Sequence, residues 1–391
     1  MTPPNASRKA NIAFLIGTMA SSIGSLTFAI TASAVMLSSG YTLFEVGLFA
    51  AISRLSSLLS VFVFGERVDT WNPKKVLLIT EAIGFAAAVG LAICWQSGKS
   101  LYPFFLAFTA IRSLALGVQA PGRAKIAKLL AADGFQEQSR AAVWLNKVTH
   151  GAIVFAAALS WVFVTRFDVV WAIGFDMLTF LANGLLIWSF VSVDGGSAEL
   201  AKPSLLRMFK ILYARAPHTA ILDLLLATSL CGVNTLYVRI SDGDSALVPF
   251  FHAAYGIAVW ATGFLFRWPR LQGLHTVLWL ALSVAISGLS FAAHDKLLAV
   301  PLLGLVFVVY WLLFHRYSSQ LQYASPPGEI AAVTSARIVQ MTVVISIGEY
   351  LVGAWSNVVP IEIELRARAL LPLVVFVALI FSRRRRANAK N

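Results

Sequence analysis

Charge is scarce in this chain. Of its 391 residues only 13% are Asp, Glu, Lys or Arg, and only two, Cys94 and Cys231, are cysteine. Soluble domains carry about 25% charged residues, so a water-facing surface on every helix is excluded. Two cysteines are too few for a disulfide framework and lack the spacing of a metal site, so neither a metal nor a cofactor is expected. Also missing are His-Glu-x-x-His, a paired metal-ligand cluster, Gly-x-Ser-x-Gly and a Walker loop. No loop is long enough to house a catalytic domain. These absences argue against a membrane enzyme and against nucleotide-driven pumping on this chain.

What is abundant is apolar surface: 58% of residues are hydrophobic and the mean hydropathy is +0.77. Runs of about 20 apolar residues recur, enough to cross a hydrocarbon core about 30 Å thick. They place six spans near Asn11 to Leu37, Val46 to Phe64, Val76 to Trp95, Leu101 to Ala120, Val143 to Thr165 and Val169 to Val191. Six more lie near Thr219 to Val238, Ala246 to Phe266, Thr276 to Ala293, Leu297 to Phe314, Ala332 to Trp355 and Ala369 to Phe381. Continuous apolarity favours helices over a barrel, whose strands are shorter and alternate. The first run is too long for a cleavable signal core.

The formal net charge is +13. With both termini on the cytoplasmic side, most Lys and Arg fall in inner segments, as positive-inside bias requires. That bias accounts for the excess without a nucleic-acid partner. The run Arg383 to Arg386 reads as a topology anchor able to touch anionic lipid. Between the sixth and seventh spans, residues 194–216 begin Gly/Ser-rich and end as a basic amphipathic stretch. The expected organisation is an N-terminal six-helix bundle over 1–193, that cytoplasmic linker, and a C-terminal bundle over 217–391. Small residues in "GTMASSIGS" and "GFAAAVGLA" suit close helix packing.

One charged interval stands out: "VFVFGERVDTWNPKKVLLITE", Val61 to Glu81. It reads as a short cytoplasmic loop in which Gly65 permits a tight helix exit, Asp69 accepts backbone hydrogen bonds, and Lys74 and Lys75 hold the next helix at the inner face. Gly65, Asp69, Lys74 and Lys75 resemble the loop between spans two and three of the major facilitator superfamily. "VDTWNPKKVLLITE" is similar to the pattern of its bacterial branch of siderophore and drug exporters, with Thr70, Asn72 and Pro73 replacing family residues. "SSIGS", "APGRAKIAKLL", "FDMLTFLANGLL" and Gln322 to Pro326 extend the resemblance along the chain. In span five the family's kink-forming pattern is replaced by "THGAIVFAAAL".

The resemblance implies an all-α membrane protein with twelve helices in two bundles. It further implies a monomer in a bacterial inner membrane, transporting a small solute by alternating access. Spans one, four, seven and ten would line the cavity, with two, five, eight and eleven beside them. Charges within spans are costly and so mark partners or wet cavities. Arg54, Arg112, Lys147 and His150 would then form a positive wall for an anionic solute, aided by Tyr255 and Tyr310. Glu349, with Asp223 and His252 as competitors, is the expected proton-coupling acid. Arg54 and Arg112 suit ion pairing with acids equally well, and Glu81 and Asp176 suit structural hydrogen bonding. Efflux of a metallophore-like or drug-like compound by proton antiport is the expected activity, with a non-transporting sensor or scaffold as the alternative.

Overall fold

The computed structural model describes residues 4–130, 135–191, 205–265, 274–324 and 330–388. Fourteen α-helices occur among them: α1 (Pro4–Met36), α2 (Leu43–Thr70), α3 (Pro73–Gln96), α4 (Tyr102–Leu130), α5 (Phe135–Arg166), α6 (Val169–Phe190), α7 (Leu205–Arg215), α8 (Pro217–Ser229), α9 (Val233–Ser241), α10 (Val248–Leu265), α11 (His275–Ala292), α12 (Lys296–Ala324), α13 (Ile330–Trp355) and α14 (Ile361–Asn388). Counting Pro217–Ser241 as one, eleven are long and apolar enough to cross a membrane, and Gly151–Arg166 in α5 is a shorter apolar helix. Together they fall one for one on the twelve expected spans. The protein is an all-α multi-pass membrane protein.

Two compact units divide the chain: Met1–Tyr41 with Phe49–Lys202, and Thr42–Leu48 with Pro203–Asn391. In the first, α1 packs on α5 and α6, and α3 packs on α4 and α6. Gly24 of α1 allows a close approach, since a methyl there would lie 2.0 Å from Thr179 Oγ1 of α6. In the second, α10 packs on α12, and α11 packs on α12 and α14. The short helix α7 is amphipathic, and its Leu212 joins Ala220, Leu321, Val333 and Ala336 in a buried cluster. Burial of that apolar face, rather than propensity, holds so short a helix.

Three boundaries differ from the sequence expectation. The helix exit does not lie at Gly65: α2 stays helical through Thr70, and the turn is at Trp71 and Asn72. Asn72 supplies the reason, because its side chain accepts from the amides of Lys74 and Lys75 while Pro73 occupies the first helical position. Span seven is not continuous but breaks after Ser229 and restarts at Val233. Gly232 carries the break with φ +70, a left-handed conformation that costs glycine little. The last span begins at Ile361, well before Ala369: of the charges at its start Arg368 is paired with Glu364, and Arg366 lies over the Phe291 ring.

Candidate functional site

Of the charged side chains inside the apolar helices, most have found a partner from another helix. In the first unit Arg112 of α4 meets Asp176 of α6 at 2.6 Å, and both are buried. Ser25 of α1 donates to the other oxygen of Asp176, and Arg112 also donates to the Ser25 carbonyl at 3.3 Å. The guanidinium lies 4.7 Å from the ring centroid of Phe28 and 5.7 Å from that of Phe180, so aromatic faces shield the rest of its charge.

A second polar cluster involves the same helices. Arg123 of α4 donates to Ser21 and Ser22 of α1 and to Gln119 one turn earlier, and stands 3.6 Å from Glu81 of α3. Asn183 of α6 donates to the same Glu81 oxygen. Hydropathy alone assigns Arg123 to an inner loop; it lies instead within an apolar helix and is 9% exposed. The signal for it is Gln119 four residues before, a helical acceptor for a buried donor.

In the second unit Arg337 of α13 grips Asp223 of α8 through two hydrogen bonds of 2.7 Å each. Its guanidinium sits 4.0 Å from the Phe314 ring centroid and donates to the Phe314 carbonyl. Fork-to-fork geometry of this kind fixes orientation as well as charge.

Glu349 of α13 is fully buried at the start of α9. One of its oxygens accepts from the Asn234 amide at 3.2 Å, the other from the Thr235 amide at 2.9 Å and the Thr235 hydroxyl at 2.7 Å. Those amides are among the orphan donors of a helix N-terminus, and the carboxylate also meets the positive end of its dipole. The opposite cut end is served by Arg368 of α14, which donates to the Cys231 carbonyl at 2.6 Å. Arg368 and Arg239 of α9 share Glu364, and Arg239 also reaches the carbonyls of Ser356 and Val359. Hydropathy alone assigns Arg239 and Arg368 to outer loops. Glu364 four residues before Arg368 is the available signal to the contrary.

The remaining expected residues are dispersed. Arg54 is half-buried on α2. Lys147 and His150 lie on α5 and Asp69 on α2, with side chains outside the described residues; Gly65 is also on α2. Lys74 donates to the Trp188 carbonyl in the last turn of α6, and Lys75 is exposed. His252 of α10 packs edge-on to Tyr237 at 4.7 Å. Tyr255 packs against Phe307 and Trp311, and Tyr310 against Trp311 and Phe314. Among the described residues no group of three or more His, Cys, Asp or Glu could hold a metal ion.

No family model and no curated protein matches the sequence. Solved structures do. The nucleoside transporter NupG, as a point mutant, superposes with TM-score 0.72 at 12% identity, covering 94% of this chain and 99% of its own. A bacterial homologue of the iron transporter ferroportin in an inward-facing state gives 0.71 at 14%, covering 94% and 98%. The xylose transporter XylE from E. coli, partially occluded and inward open, gives 0.70 at 8%, covering 95% and 97%. The fold is the one these three transporters share.

Proposed function

We propose that this chain is a secondary transporter of a small organic solute working by alternating access. The observation that carries the reading is the fold, shared over nearly the whole length with three transporters. Those three are named for a nucleoside, iron and xylose, so the fold speaks for transport and leaves the solute to the site.

The solute we assign is an anion, for which the candidate contacts are Arg54, Arg112, Lys147 and His150 in the first unit and, separately, Tyr255 and Tyr310 in the second. Arginine recognises carboxylate through paired donors. Export follows from the resemblance of the sequence leading into Lys74 and Lys75 to that of exporters, and proton entry would drive it.

Proton coupling is assigned to Glu349, with Asp223 and His252 in reserve. A proton on Glu349 would remove the charge that meets the amides of Asn234 and Thr235, weakening the cap on α9. Discontinuous helices in secondary transporters place such groups where ions and substrates bind.

The test is flux in proteoliposomes with a labelled panel of uridine, xylose, citrate and ferrous iron, with and without a pH gradient. Citrate flux that responds to the gradient is expected. A chain that moves none of the panel under either condition, although reconstituted and folded, would instead fit a sensor or scaffold, whose charged pairs are purely structural.

A further inference from the structure

The buried carboxylates are not held alike. Asp176 and Asp223 each take a direct arginine hydrogen bond, Glu364 takes two arginines, and Glu349 takes backbone amides. Glu81 differs. Its arginine stands at 3.6 Å, beyond hydrogen-bond length, and its Oε2 is buried with no hydrogen-bond partner. Three more buried atoms of the same cluster lack partners: Asn183 Oδ1, Gln119 Nε2 and Arg123 Nε.

We propose that Glu81 is a protonation site of the first unit, with Arg123 as the counter-charge that its proton releases. A buried carboxylate oxygen with no donor carries an uncompensated desolvation cost. A proton on Oε2 removes the charge and turns an unfilled acceptor into a donor, in a cluster where Asn183 Oδ1 also lacks one. Arg123 does not depend on Glu81 for its position, because Ser21, Ser22 and Gln119 hold it through neutral oxygens. By contrast, a proton on Asp176 or Asp223 would break the short bonds that place Arg112 or Arg337.

The charged groups facing Glu81 come from two neighbouring helices. From α4 it is Arg123; from α6 Asp176, itself paired with Arg112, adds a like charge. Among the described residues α1 contributes the hydroxyl groups of Ser21 and Ser22 to the cluster, and on α3 itself Lys74 is engaged with the Trp188 carbonyl. A neutral Glu81 leaves Arg123 as a cation without its counter-charge, fit to meet an anionic group. That consequence rests on the transport reading above; the proton site does not.

The experiment is an infrared pH titration of the purified full chain in detergent, from about pH 5 to about pH 9, bracketing the neutral range. A carboxylic-acid band that appears and disappears reversibly is expected, with a component lost in Glu81→Gln and kept in Glu349→Gln. In Arg123→Gln the midpoint of that component should move by about one pH unit or more, the effect of an adjacent opposite charge. This variant also serves if Glu81→Gln fails to fold. A wild-type protein with no titrating band, a band unaltered in Glu81→Gln, or a midpoint unmoved in Arg123→Gln would overturn the proposal. No solute enters the measurement, so its failure is separate from failure of the flux test.

Discussion

Glu349 and Thr235 meet where a membrane span is cut in two: the carboxylate takes both the amide and the hydroxyl of Thr235, at 2.9 and 2.7 Å. The bonds belong to α13 and α9, so the start of one helix is held by the side chain of another. Glu349→Gln keeps the shape but loses the charge and half the acceptor capacity. A loss of about 1–3 kcal/mol is expected for unsatisfied buried donors, and thermal unfolding in detergent would read it as a lowered midpoint. Thr235→Val, which keeps the amide bond, should cost less.

The bidentate pair of Arg337 and Asp223 supports a double-mutant cycle. Removing one partner of a buried ion pair costs about 3–5 kcal/mol, whereas replacing both with apolar groups of similar size is near neutral. Asp223→Leu alone should therefore sharply reduce the folded yield. Asp223→Leu with Arg337→Met should restore much of it, as judged by monodisperse elution. Equal damage from single and double variants would show that the fork does more than neutralise charge.

Arg112→Ala bears on the solute wall. Because Arg112 neutralises Asp176 at 2.6 Å, its loss should lower thermal stability before any effect on flux can be read, by about 3 kcal/mol or more. Asp176→Asn in the same background should recover stability. Flux measured in that recovered variant then isolates any direct contact of Arg112 with solute.

Gly24→Ala tests the seam of α1 and α6. The added methyl would meet the Thr179 side chain at 2.0–3.0 Å, and a β-branched side chain has few rotamers to yield with. Overpacking of this kind costs about 1–3 kcal/mol. Thr179→Ala in the same chain removes the clashing hydroxyl and should give part of it back in the thermal midpoint.

The spans themselves were legible because apolar length is a local property, visible to any window sliding along the chain. Pairing is not local. Asp176 lies 64 residues from Arg112, and Asp223 lies 114 from Arg337. Each is recognisable as an intramembrane charge without its partner being identifiable. The same limit hides Arg123, Arg239 and Arg368. A hydropathy window ends a span at an arginine, although a carboxylate elsewhere in the fold has offset its charge. The break at Gly232 escapes for a different reason: Leu230, Cys231 and Val233 keep the run apolar, and only the glycine followed by Asn234 and Thr235 hints at a new helix start.

Where α13 crosses that break, Gly348 and Gly232 touch without side chains. A methyl on Gly348 would fall 2.6 Å from the Gly232 nitrogen, and one on Gly232 would fall 2.5 Å from the Gly348 carbonyl oxygen. The two glycines themselves have no rotamers with which to take up slack, and the Glu349 carboxylate beside them is already engaged. The joint can be seated or unseated but hardly stretched, so any movement of α9 against α13 there would come as a discrete step, not a gradual slide.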